Sequence, residues 1–70
     1  MSMTLEQYRK ALGLTHGQMS NESGVRRSVL EQAEDGEPIA QPLAEEICAF
    51  LSKRFKRNII VGQVKDLKTC

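Results

Sequence analysis

The stretch Thr15-His16-Gly17-Gln18-Met19-Ser20-Asn21-Glu22-Ser23-Gly24-Val25-Arg26-Arg27-Ser28-Val29-Leu30-Glu31-Gln32-Ala33-Glu34-Asp35-Gly36 decides how this 70-residue chain is read. Thr15 followed three residues later by Gln18 has the spacing of a capping box, so a helix starts there, with Met19 as its inward apolar group. Gly24 ends it, because a glycine turns the chain through a left-handed step at low cost. Val25 and Leu30 are spaced as a hydrophobic staple around a further helix starting near Arg26. Leu30 and Ala33 face inward on it until Asp35-Gly36 stops it. Ser20 is small, which lets the two helices pack closely, and a branched side chain at Gly24 is expected to be crowded in the turn. Between the apolar positions of the second helix, Arg27, Ser28, Glu31 and Gln32 are left facing outward.

Outward from this stretch the helical pattern continues. Leu5, Tyr8 and Leu12 recur at three and four residues, predicting a first helix from the N-cap Thr4 to Gly13. A turn from Glu37 to Gln41 leads to Pro42, a residue favoured in a first helical turn. Leu43, Ala44, Ile47, Cys48, Leu51 and Phe55 then hold one apolar stripe through a longer helix, with Asn58 as its expected stop. Lys53, Arg54, Lys56 and Arg57 crowd that end, where positive charge complements the unpaired carbonyls. Val61, Val64 and Leu67 have the spacing of one more short helical turn closing the core. The expectation is an all-α, compact bundle of about five short helices in a single domain, residues 1–70.

Within that frame the quoted stretch resembles the helix-turn-helix of lambdoid phage repressors and Cro proteins, the XRE family. The resemblance rests on Gly13-Leu14-Thr15, on Met19 and Ser20, on Gly24-Val25, and on Leu30, Glu34 and Gly36. It implies a lambda repressor-like fold and a sequence-specific, duplex DNA-binding transcriptional regulator that acts as a homodimer. Two recognition helices would then lie about 34 Å apart on a palindromic operator. By the same resemblance His16 falls where the family often has a phosphate-touching glutamine. Arg26, Arg27, Ser28 and Gln32 fall on base- and phosphate-facing positions. The chemistry suits those roles: arginine donates two bonds to a guanine edge, glutamine pairs with adenine, and Glu31 can accept from cytosine. The chain departs from the family at Arg26, where a small N-cap is usual, at Ala33, where the usual residue is larger, and at Asp35. The Glu37–Gln41 loop also lacks the bases that many relatives use on phosphate. The dimer contact is expected in the Ile59–Leu67 region.

Charge pulls the other way. The net formal charge is only +1, whereas polyanion binders usually show a basic balance. Residues 1–36 hold four bases against five acids, and residues 37–70 six bases against four acids. This motivates an alternative, a protein-interaction module of the same fold, such as an antitoxin or co-regulator, without strong DNA affinity.

Other classes fit less well. A chain this small leaves little room for an enclosed substrate pocket. Ser20, Ser23, Ser28, His16 and Asp35 form a hydrolytic triad only if helical geometry is ignored, and the adjacent Glu45 and Glu46 do not share a helix face, so no catalytic residues and no small-molecule substrate are expected. One histidine gives no zinc-ligand spacing, and no metal or cofactor is expected. The longest apolar run, Ile59-Ile60-Val61, is far too short to span a membrane. Met1–Arg9 has no apolar stretch suited to a signal peptide. Cys48 and Cys70 read as free thiols, so the expected compartment is the cytoplasm.

Overall fold

The computed structural model describes residues 3–70; Met1 and Ser2, where the reading of the amino terminus begins, lie outside them. Four α-helices follow one another: α1 (Leu5–Ala11), α2 (His16–Ser23), α3 (Arg27–Glu34) and α4 (Gln41–Phe55). The domain is therefore small and all-helical, with four α-helices where about five were expected.

The first two helices start as their sequences require. Thr4 accepts from the Gln7 amide at 3.1 Å while the Gln7 side chain accepts from Thr4 N at 2.8 Å. Thr15 and Gln18 repeat the same reciprocal pair at 3.2 and 2.9 Å. Each pair satisfies two amides that the helix leaves unpartnered. Gly24 caps α2 with φ +79°. A Cβ built on it meets nothing within 4 Å, so the turn needs glycine for its backbone conformation and not, as expected, to avoid crowding.

The core lies between these helices. Leu5 and Tyr8 of α1, Met19 of α2, Leu30 and Ala33 of α3, and Ala44, Ile47, Cys48 and Leu51 of α4 are all buried. Val25 and Leu30, the two staple residues, are both in that core. Tyr8 meets Phe55 edge to face at 5.3 Å between ring centroids, a favourable aromatic geometry.

Past α4 the chain departs from expectation twice. The helix stops at Phe55, not at Asn58, because Lys56 takes a left-handed conformation with φ +55° and its amide turns back to Ser52 O. The Val61–Val64–Leu67 spacing does not make a further α-helix. A single 3-10 turn, Val61–Gln63, is followed by irregular chain with a turn at Lys65–Asp66. The reason is pairing with distant backbone: Lys65 N donates to Met3 O at 3.0 Å, Ile39 N to Lys68 O at 3.0 Å, and Cys70 N to Ile39 O at 2.9 Å. Val64 and Leu67 still fill the core, as their spacing required, but from chain held by two isolated parallel bridges on either side of Leu67, Met3 with Val64 and Ile39 with Thr69. Ser52 pins the start of this segment, its hydroxyl accepting from Ile59 N at 2.9 Å and lying 2.8 Å from Cys48 O.

Candidate nucleic-acid interface

The surface singled out by sequence centres on the amino-terminal end of α3. Gly24, Val25 and Arg26 are all that joins α2 to α3, so Val25, anchored in the core, fixes where that end emerges. Arg26, Arg27 and Ser28 are exposed there together. Unlike α1 and α2, α3 has no side-chain cap, because Arg26 at the N-cap offers no acceptor. Its first amides are left open at the positive end of the helix dipole, next to two arginines, which makes that end attractive to an anion.

The remaining candidates are tied to the protein itself. Arg27 Nε donates to Glu31 Oε2 at 2.9 Å across one helical turn. Both groups are well exposed, so this pair is worth only a few tenths of a kcal/mol, of order ~0.3–0.5. Gln32 reaches back from α3 and donates to Pro38 O at 2.8 Å, bracing the loop into α4. His16 is partly exposed, but its Nε2 is turned to the protein, 3.1 Å from Glu34 Oε2. That nitrogen is fully covered and makes no aligned hydrogen bond. Only Arg26 and Ser28 of the six candidates have side chains with no hydrogen-bond or ion-pair partner among the described residues.

Glu34 gathers three elements onto one carboxylate. Arg9 of α1 binds it through two atoms, Nε to Oε2 at 2.8 Å and Nη2 to Oε1 at 3.3 Å, and sends Nη1 to Leu14 O at 2.9 Å. The Arg9 and Glu34 side chains are 11% and 7% exposed, so the pair is largely withdrawn from water and holds α1 against α3. The hydrogen bond from Glu34 raises the Arg9 pKa above its ordinary value against the opposing effect of burial. Sequence reading placed Glu34 in the motif but missed Arg9 as its partner; the two are 25 positions apart, and no local spacing links them.

Glu6, His16, Glu31, Glu34 and Asp35 line a shallow cavity of about 210 Å³ beside α3. The carboxyl-terminal half of the candidate surface is thus acidic, and its basic character is confined to Arg26 and Arg27. No three His, Cys, Asp or Glu side chains among the described residues converge to hold a metal ion. Cys48 and Cys70 are both free thiols, as expected, and burial, with Glu45 nearby, pushes the Cys48 thiol pKa up. None of the described helices is long and apolar enough to cross a membrane. No protein-family model matches the chain, and no curated protein or solved structure matches it either.

Proposed function

We propose that this chain is a cytoplasmic, sequence-specific DNA-binding regulator of the lambda repressor-like, helix-turn-helix type, acting as a homodimer on duplex DNA and not as an enzyme. The observation that carries the reading is the uncapped amino-terminal end of α3, where open amides meet exposed Arg26, Arg27 and Ser28. Anion attraction at that end brings the helix to a phosphate backbone, and the arginines reach guanine edges once it enters a major groove. The Arg27–Glu31 pair opposes this only weakly, because an exposed pair is exchanged for a better partner at little cost. In this reading Gln32 and His16 serve the fold, Gln32 by bracing the loop and His16 by packing on Glu34, and Arg26, Arg27 and Ser28 carry recognition.

The acidic cavity beside α3 favours the second reading, a protein-interaction module whose partner presents basic side chains. The two separate in one experiment: fluorescence anisotropy of the protein on a labelled random duplex across a salt series, followed by selection of bound genomic fragments. DNA binding through several phosphates weakens steeply as salt rises. Absence of binding even at low salt defeats the DNA reading and leaves the protein-interaction module.

A further inference from the structure

We infer that the solvent face of α4 docks a second copy of this chain, the two α4 helices crossing antiparallel at Ala49. Along one row of that face Glu45 is exposed toward the amino-terminal end, Ala49 at the middle and Lys53 toward the carboxyl-terminal end. Glu45 is four residues before Ala49 and Lys53 four residues after it, so each lies about 6 Å from the midpoint along the helix. A two-fold axis through the contact at Ala49 sets Glu45 of one copy opposite Lys53 of the other, and the same pair again by symmetry.

Charge segregation on α4 leaves these groups without paired opposite charges among the described residues and open to a partner. Glu46 and Lys53 make no ion pair among the described residues, and the Glu45 carboxylate meets only the neutral Gln41 amide at 3.1 Å. Acids and bases seven or eight positions apart stand ~10–12 Å apart along a helix and cannot pair within it. The helix dipole favours the same polarity, but it does not account for the shape between the charges. Ala49 forms the shared wall of two open grooves, one of about 670 Å³ toward Ile59–Gly62 and one of about 310 Å³ toward Glu22 and Phe50. A small residue on a ridge between two grooves allows close approach of another helix.

Ile60, 54% exposed and the one large hydrophobic side chain exposed among the described residues, stands at the larger groove. Under the same two-fold axis the larger grooves of the two copies face each other, and each Ile60 is covered. The inferred contact thus overlaps the Ile59–Leu67 region at Ile60 but is built on α4. It does not rest on DNA binding.

The experiment is sedimentation equilibrium across a concentration series, without DNA, on the full chain and on Glu45→Lys, Lys53→Glu and the double variant. Circular dichroism on each variant checks that the exposed changes leave the fold intact. The expected result is a concentration-dependent dimer that either single reversal weakens about tenfold or more, since each reversal turns two symmetric attractions into repulsions. The double variant, which restores opposite charges across the axis, regains wild-type association within about threefold. Single reversals without effect, or a double variant no better than the singles, would overturn the proposal. A wild-type chain that stays monomeric to about 1 mM overturns it too and leaves the ridge to a different protein. Because no DNA is present, such a failure is distinct from a failure of the DNA reading.

Discussion

Replacing Glu34 with glutamine keeps the size of the side chain and removes the charge on which Arg9 and His16 converge. Both partners in the Arg9–Glu34 pair are about nine-tenths covered, so Arg9 would be left as a charge with little water to solvate it. Losing one member of a buried pair costs ~3–5 kcal/mol. Here Arg9 keeps its bond to Leu14 O and one amide oxygen, so a loss of about 2–3 kcal/mol is expected. In a domain of this size each kcal/mol moves the melting temperature by roughly 4–8 °C, which puts the drop near ~15 °C. The assay is thermal unfolding followed by circular dichroism, with urea denaturation for the free energy. The companion variant Arg9→Met/Glu34→Leu removes both charges and keeps apolar volume. It should lie within about 1 kcal/mol of the wild type, because an apolar replacement escapes the desolvation penalty. A Glu34→Gln melting temperature within about 3 °C of the wild type, or a double variant as unstable as the two single losses combined, would refute the reasoning.

Gly24→Ala should cost about 1 kcal/mol or more through its left-handed backbone alone, whereas Gly17→Ala, inside α2 and free of crowding, should stabilise by ~0.5–1 kcal/mol; equal melting shifts of one sign would contradict both. Lys56→Gly relieves the left-handed lysine at the end of α4 and should raise stability by about 0.5–1 kcal/mol in urea titrations. The Cys48 thiol ionises less readily than in the unfolded chain, so the stability it contributes is full at neutral pH. That contribution declines once pH exceeds the ordinary thiol range, about 8.5–9; Cys48→Ala should flatten the alkaline limb of the stability profile. Under the DNA reading, Arg27→Ala should cost about 1–3 kcal/mol on a selected duplex with a melting shift of no more than about 4 °C, the loss of its pair with Glu31, while Gln32→Ala should lower stability by loosening Pro38; a larger thermal effect of Arg27→Ala would place that residue in the fold.

The helix starts were legible because capping chemistry is local: Thr4 with Gln7 and Thr15 with Gln18 sit within one turn, and side chain and backbone meet wherever that spacing occurs. Gly24 and the core positions Met19, Leu30 and Ala33 were legible for the same reason. The segment after α4 was not. Val64 and Leu67 carry a helical spacing, but their backbone is claimed by Met3 and the Ile39 region, contacts spanning some 30 to 60 positions that no short window records. The candidate site divides in the same way. Arg26 and Ser28 are exposed at the amino-terminal end of α3. The contacts of His16 and Gln32 depend on Glu34 and Pro38, whose positions are set by the assembled fold.

Under the DNA reading, recognition by so small a basic surface places a demand on the acidic groups around it. Glu31 stands one turn along α3 from Arg27, and its carboxylate holds the guanidinium at 2.9 Å. In the free protein this partial neutralisation weakens general attraction to phosphate, so non-specific affinity should be low. At a guanine edge the guanidinium gains two bonds while Glu31 either stays beside it or accepts from a cytosine amine, so neither group is left unsatisfied. Next to an unsuitable base the Glu31 carboxylate faces other acceptors and repels them. In that reading the pair trades affinity for discrimination. Glu31→Gln separates these effects: binding to random duplex should strengthen while the ratio of selected to random affinity falls. An unchanged ratio would mean that Glu31 only tempers the charge of Arg27.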